Sequence, residues 1–254
     1  MRNTPLHTVD AVDRPVLAIA TDYPAGTLLD THSHRRAQFL YGATGIMEVG
    51  TDDGAWVVPT SSGVWIPAGK PHRVRMVGVS TCSLYIEPQA VPRHVSQCEV
   101  LQVSPLLRQL LLNSAELPAQ YELSGRDGAL AQLMLHELQR APTLPFFAPV
   151  PREPALAALC AAFLHNPQVH AAPDAWARQL HKSERSFTRF FRLQTGMSFG
   201  EWRQQACLLA ALSRMSRGDA VTTVALDLGY ESPGAFSTMF RKRLGRPPSE
   251  FLPA

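Results

Sequence analysis

The 254-residue chain has no run of about 18 consecutive apolar residues, the length a helix needs to cross a bilayer, so a membrane span is excluded. Met1 to Pro15 alternates polar and apolar residues without the apolar stretch of a secretory signal, so export is not expected. Cysteine is scarce. Cys82, Cys98, Cys160 and Cys207 lie far apart and form no Cys-x-x-Cys pair. That argues against a disulfide scaffold and a zinc finger, and points to a reduced, cytoplasmic setting. Charge is also low, 18% of residues, with no long polar tract, and the 45% apolar content excludes wholesale disorder. At roughly 100–200 residues per domain, the length suits one large domain or two small ones.

What charge there is sits unevenly. Residues 151–254 carry 13 Lys and Arg against 8 Asp and Glu, whereas residues 1–150 carry 11 against 13. A basic C-terminal part beside a slightly acidic N-terminal part points to a polyanion as partner.

The grammar of the chain changes along its length. From Val16 to about Glu87, short apolar runs (Gln38–Tyr41, Gly45–Val49, Ala55–Val58, Gly63–Ile66, Ser83–Glu87) alternate with turn signals at Gly42, 51–54, 61–63 and 69–71. Many short strands so punctuated predict a sandwich or barrel. After Pro92 the period becomes helical. Ser104-Pro105 reads as an N-cap with proline at the first helical position, followed by Leu106, Leu107, Leu110 and Leu111. That leucine surface is more than one short helix needs for its own packing, so it is expected to dimerise. A second helix is predicted from Asp127 to about Arg140, with Leu130, Leu133, Met134 and Leu138 on one face. Ala141 to Pro154 holds five prolines and reads as a linker. From Ala155 onward the pattern is helical.

The helical part repeats itself. At an offset of 49, Ser183, Phe187, Phe191, Arg192, Gly196 and Glu201 match Ser232, Phe236, Phe240, Arg241, Gly245 and Glu250; upstream, Ala177 and Leu180 match Ala225 and Leu228 at 48. Each copy reads as a short helix, a tight turn and a longer helix: 173–181 then 185–195, and 221–228 then 233–244. This is the helix-turn-helix pattern, whose second helix enters a major groove. Phe187, Phe190 and Phe191, and their counterparts Phe236, Met239 and Phe240, are expected in the core because their spacing is helical. The opposite faces carry Arg185, Thr188, Arg189 and Arg192 in the first copy, and Ser232, Ser237, Thr238, Arg241 and Lys242 in the second. Arginine can bond a guanine edge bidentately or clamp phosphate. A joining helix over about Phe199–Met215 is long enough to hold the two readers roughly one DNA turn, about 34 Å, apart.

On these residues, and on the run Ala225-Leu226-Asp227-Leu228-Gly229-Tyr230-Glu231-Ser232 with Phe236, Phe240-Arg241, Leu244-Gly245 and Pro247, residues 155–254 resemble the DNA-binding domain of AraC/XylS transcription regulators. The resemblance implies base-edge contacts from Arg185, Thr188 and Arg189, and from Pro233, Gly234, Ser237 and Thr238. Two positions depart from many relatives. Thr238 stands where a basic residue is frequent, and Pro233-Gly234 offers no side-chain donor, so the second copy is expected mainly to grip backbone. Cys207 stands where arginine is frequent.

The N-terminal part carries a histidine constellation: His32-x-His34-x3-Gln38, and later Pro67-x-Gly69-x2-His72. On a strand, His32 and His34 point to one face, Gln38 can return to it, and His72 supplies a third imidazole. Three imidazoles and an amide oxygen can hold one divalent transition metal such as nickel, zinc, iron or copper. Equally, the histidines can line an effector pocket without metal. The spacing resembles the two cupin motifs over residues 16–88, with Gln38 at the usual glutamate position and Met76 where asparagine is common. His7, His94, His136, His165, His170 and His181 show no comparable spacing and read as ordinary.

The expected fold is α+β and multidomain. It comprises a cupin-like β-barrel sensor (1–98), a helical dimerisation segment with a proline-rich linker (99–154), and an all-α double helix-turn-helix reader (155–254). The expected activity is sequence-specific DNA binding by a regulator that senses a small molecule or metal, works as a homodimer in the cytoplasm, and meets RNA polymerase if it activates. The alternative is a metal-dependent cupin dioxygenase or isomerase with a helical appendage. An enzyme needs a placed acid or base. Only Glu48 and Glu87 offer one, and the 49-residue repeat would have no role.

Overall fold

The computed structural model describes residues 1–251 apart from Ala25, Thr60, Ser61, Gly78 and His94. The turn expected at Ser61 and the reading of His94 therefore lie outside the described residues. The chain divides into two compact units: Met1–Thr51 with Val58–Pro145, and Asp52–Val57 with Phe146–Ala254.

The first unit is built on antiparallel sheets. Its strands are β1 (Val16–Tyr23), β2 (Leu28–His32), β3 (Ala37–Gly42) and β4 (Ile46–Gly50); β5 (Gly54–Val58) falls almost wholly in the second unit; then come β6 (Ser62–Ile66), β7 (His72–Val77), β8 (Val79–Ile86), β9 (Glu99–Gln102) and β10 (Thr143–Leu144). One sheet runs β1-β8-β3-β6-β9-β10, and β4-β7-β2 belong to a second. β3 is buried at all six positions, as a central strand covered on both faces must be. The N-cap at Ser104 is present: its hydroxyl accepts the Leu107 amide of α1 (Pro105–Ser114), with Pro105 at the first position. α2 (Arg126–Arg140) follows, one residue longer than predicted.

Both helices pack on the sheet. Leu107, Leu111, Met134, Leu135 and Leu138 share one core with Val16, Ala18, Phe39, Tyr41, Cys82, Leu84 and Ile86. The four leucines expected at a dimer surface therefore separate. Leu107 and Leu111 are core residues, Leu110 packs partly against the core, and Leu106 is exposed. Helical geometry turns positions 107 and 111 to one face and leaves 106 outside it. Leu133 likewise faces outward while Met134 and Leu138 face in. The proline-rich stretch is more than a linker. It contributes β10, and β11 (Phe147–Pro149), which pairs with β5 in the second unit. The Pro142 carbonyl accepts from the Gln102 amide.

The second unit is otherwise helical: α3 (Pro154–His165), α4 (Pro173–Gln179), α5 (Glu184–Thr195), α6 (Phe199–Ser216), α7 (Val221–Asp227) and α8 (Pro233–Leu244). α4–α5 and α7–α8 are the two repeated copies. Their ends are made alike. Ser183 caps α5 by accepting the Ser186 amide, and Ser232 caps α8 by accepting the Ala235 amide. Gly196 and Gly245 close the same helices in the left-handed region, at φ 74° and 72°. α6 opens on a capping box, Ser198 with Glu201. Phe187, Phe191, Phe236 and Phe240 are fully buried as expected, but Phe190 and Met239 are only partly buried, and the Lys182 ammonium lies 4.5 Å from the centre of the Phe190 ring. At positions 190 and 239 the apolar stripe has turned off the core, so an amphipathic rather than a buried position results.

Candidate DNA-reading and sensor sites

The face of α5 away from Phe187 and Phe191 exposes Arg185, Thr188, Arg189 and Arg192. The matching face of α8 exposes Gly234, Thr238, Arg241 and Lys242, with Pro233 and Ser237 partly covered; Ser237, Thr238, Arg241 and Lys242 line one open depression. Several other basic residues of the unit are held by partners. Arg178 is held by Asp174, Arg214 by Asp219 and Asp227, Arg217 by Ser213 and Arg243 by Gln204. Among the described residues, Arg185, Arg189, Arg192, Arg241 and Lys242 have no hydrogen bond or ion pair. Unpaired guanidinium and ammonium groups gathered on two equivalent helix faces form a surface suited to phosphate and base edges. Two polar candidates have local work as well. The Ser232 hydroxyl caps α8, and the Thr188 hydroxyl donates to the Glu184 carbonyl at 3.0 Å.

One residue of the first copy that reads as ordinary in the sequence has an unusual backbone. His181, between α4 and α5, adopts φ 52°, and Gly229 occupies the equivalent place between α7 and α8 at φ 84°. The offset of 48 pairs these two positions, so the signal was in the repeat.

In the first unit the three imidazoles converge. One ring nitrogen from each lies within 4.8 Å of those of the other two, with His32 exposed, His34 half-buried and His72 buried. The route differs from the one the spacing predicts. β2 ends at His32, after a register irregularity between Leu29 and His32, and His34 lies beyond the strand. His32 faces His72 directly across the β2–β7 ladder, with ring centres 4.4 Å apart. Gln38 comes from β3 in the other sheet. His34 is placed by the fully buried Arg36, whose guanidinium bonds Asp10, Glu87 and the carbonyls of Val12 and Arg14, fixing the turn between β2 and β3.

Each imidazole has the same second contact. His32 Nδ1 meets the Asp30 carbonyl at 2.7 Å, His34 Nδ1 the Arg36 carbonyl at 2.9 Å, and His72 Nδ1 the Lys70 carbonyl at 2.9 Å. A carbonyl only accepts, so each Nδ1 carries a proton, and a ring that is neutral then keeps its lone pair on Nε2. Burial holds His34 below the ordinary imidazole range and His72 down to about 4, so both are neutral at neutral pH. The His72 Nε2 is buried with no hydrogen-bond partner. Neutral imidazoles locked by Nδ1–H to a carbonyl and offering converging Nε2 lone pairs are the arrangement of metal-binding histidines. The residues thus fit a divalent metal. Neither acid considered for an enzyme is poised beside them: Glu87 is tied to Arg35 and Arg36, and Glu48 faces Arg75 at 3.8 Å.

Comparison with known proteins matches this division. Residues 15–138 fit the model of the AraC-like ligand binding domain, and residues 176–254 that of a helix-turn-helix domain. The HTH-type transcriptional regulator NimR of Escherichia coli (strain K12) is 34% identical over 222 residues, which cover 87% of this chain and 81% of that protein. The chain belongs to the AraC family of transcription regulators. As an AraC-family member it joins an N-terminal ligand-binding domain to a C-terminal helix-turn-helix DNA-binding domain. The regulatory protein SoxS of Salmonella typhimurium (strain LT2) is 35% identical over 79 residues, 31% of this chain and 74% of that protein. A crystal structure of ToxT from Vibrio cholerae overlaps 93% of this chain and 96% of that one, at 11% identity and a TM-score of 0.38. No helix among the described residues is long and apolar enough to cross a membrane.

Proposed function

We propose that this AraC-family regulator reads double-stranded DNA through α5 and α8 and senses a metal ion or a small effector at His32, His34, Gln38 and His72. The observation that carries the DNA reading is the set of unpaired cations on equivalent faces of the two helices. Arg185, Thr188 and Arg189 read base edges, with Arg192 on phosphate. In the second copy Pro233, Gly234, Ser237 and Thr238 lie against the groove, while Arg241 and Lys242 grip the backbone and Ser232 chiefly caps its helix. A retardation assay on the chain's own operator tests this. Arg185→Ala and Arg189→Ala should each weaken binding with an unchanged circular dichroism spectrum, and intact binding by both variants would remove the assignment.

The sensor holds one divalent transition metal (nickel, zinc, iron or copper) through the three Nε2 atoms, with the Gln38 Oε1 beside them. The orphaned, buried Nε2 of His72 supports this over a plain pocket wall. The metal would supply a Lewis acid to which an effector can anchor. Occupancy shifts the population between DNA-binding states of the regulator. The protein acts in the cytoplasm and is not an enzyme; in support, the two acids weighed for that role, Glu48 and Glu87, are engaged by arginines. It works as a homodimer through the outward faces of α1 and α2, where Leu106, Leu112 and Leu133 are exposed, and it meets RNA polymerase where it activates. Metal analysis of purified protein, and sedimentation at micromolar concentration, test these points. A triple alanine variant of His32, His34 and His72 that still folds and answers inducer like the parent would sink the sensor assignment.

A further inference from the structure

The two helix-turn-helix copies have a second connection besides α6. Segment 166–172, which leads from α3 into the first copy, runs against the turn between α7 and α8 of the second. There the Val169 amide donates to the Leu228 carbonyl at 2.9 Å, and the Gln168 Nε2 donates to the Asp227 carbonyl at 2.8 Å. Both carbonyls stand at the C-terminal end of α7, where a helix has no partner of its own to offer them. The approach is close: a Cβ added at Gly229 would lie 3.1–3.5 Å from Gln168, Val169 and His170. α6 holds both sides of this contact. Its Arg203 guanidinium donates to the Ala171 carbonyl, and its Arg214 binds the Asp227 carboxylate at 2.7 Å.

A single helical rod fixes the distance between the bodies at its ends but leaves each free to swivel. A second tie removes that freedom. The turn held in this way immediately precedes α8, so its position sets the aim of the second reader relative to the first. One base pair rotates DNA by about 34° and advances it by about 3.4 Å. Two readers locked together therefore fit one spacing of half-sites. A spacing wrong by one base pair is met only by opening the tie or by losing contacts on one side.

We propose that Gln168 is a positioning residue of DNA recognition: with the Val169 amide it clamps the second helix-turn-helix copy to the approach of the first, and so sets which half-site spacing the protein accepts. The inference rests on the DNA reading above.

The test is a retardation series with the full chain, with melting curves as the control for folding. The probes are a duplex selected by the wild-type protein from a randomised pool, and the same duplex with one base pair inserted or removed between its half-sites. The readout is the ratio of affinities, selected spacing over altered spacing. Gln168→Met keeps the length of the side chain and removes the donor. Gln168→Glu in addition sets a carboxylate against the Asp227 carbonyl. The ratio should fall about 2–10-fold in Gln168→Met, the equivalent of one hydrogen bond that no longer has to be opened, and at least as far in Gln168→Glu. A ratio that does not fall, with equal losses on all three duplexes, would mark Gln168 as a DNA contact or a stability residue and overturn the positioning role. So would a wild-type protein indifferent to spacing, and either result leaves the two reading helices standing. A wild-type protein that selects no sequence from the pool overturns the reading and the clamp together. Should Gln168→Met not fold, Gln168→Asn, which keeps the amide but shortens its reach, runs the same series.

Discussion

The two helix-turn-helix copies share a frame and differ in what the frame presents. Serine caps, left-handed glycine closures and a pair of buried phenylalanines recur at the same places in α5 and α8. Around this frame the first copy is the more aromatic: Trp176, Phe199 and Trp202 crowd Phe187 and Phe191, with Phe163 behind the two tryptophans, while Phe236 and Phe240 meet, besides each other, only Tyr230 and Phe251 among rings of the described residues. The first copy also spreads arginines along its reading face, whereas the second opens with Pro233-Gly234 and keeps its cations to the last turn. Folding constrains the inward positions of both copies equally. The outward positions are free of that constraint, and there the copies have diverged.

The largest effects lie in the shared frame. Phe191→Ala and Phe240→Ala should each cost about 3–5 kcal/mol, read by urea unfolding. If Phe240→Ala cost under about 1 kcal/mol, the two cores would not be equivalent. Next come the faces. Arg189→Ala should lose about 1–3 kcal/mol of discrimination at one base pair, whereas Arg241→Ala should weaken all sequences alike and lower the salt slope by about 1. A scan of operator substitutions with equal stringency in both half-sites would contradict this contrast.

The turns offer a smaller test. Gly229→Ala places a Cβ 3.1 Å from the Gln168 side chain at φ 84°, and should cost about 1–2 kcal/mol. His181→Gly at the equivalent turn should change stability far less, because relief of the left-handed conformation is offset by added freedom of the unfolded chain. Melting temperatures that ranked the two the other way would break the equivalence of the turns. The smallest effects belong to the caps. Ser183→Ala and Ser232→Ala should each cost about 1 kcal/mol of stability. DNA affinity lost by Ser232→Ala beyond its stability loss would show that Ser232 also contacts DNA.

Much of this was legible in the sequence because it is local or periodic. Ser104-Pro105, the two Ser–Phe–Phe–Gly series and the alternation of strands with turns each describe their own neighbourhood. What was not legible depends on long-range pairing. Nothing in the spacing of Leu106, Leu107, Leu110 and Leu111 says which side meets the β8 face, and so two residues expected at a surface are core. The metal-like donor set was readable, but His34 was assigned to a strand that ends at His32, since a register irregularity leaves no mark in composition. Ser83 and Tyr85 stand 45 and 47 residues from Gln38 and meet it only through the β3–β8 ladder. Arg36 was visible as a basic residue, yet its burial became clear only once Asp10 and Glu87 were seen around it.

β8 has one further consequence. Its alternate side chains work on opposite sides of a single polypeptide thickness. Ser83 and Tyr85 hold Gln38 on one side. On the other, Cys82 donates to the Leu111 carbonyl at 3.1 Å, and Leu84 and Ile86 bed the helices. Ligand chemistry and the α1–α2 surface are thus two sides of one partition, with no intervening layer to absorb displacement. A protein interior packed to crystal-like density transmits such a push rather than damping it. Bulk added at Ser83 will be felt at Leu111, and bulk added at Cys82 will be felt at Gln38.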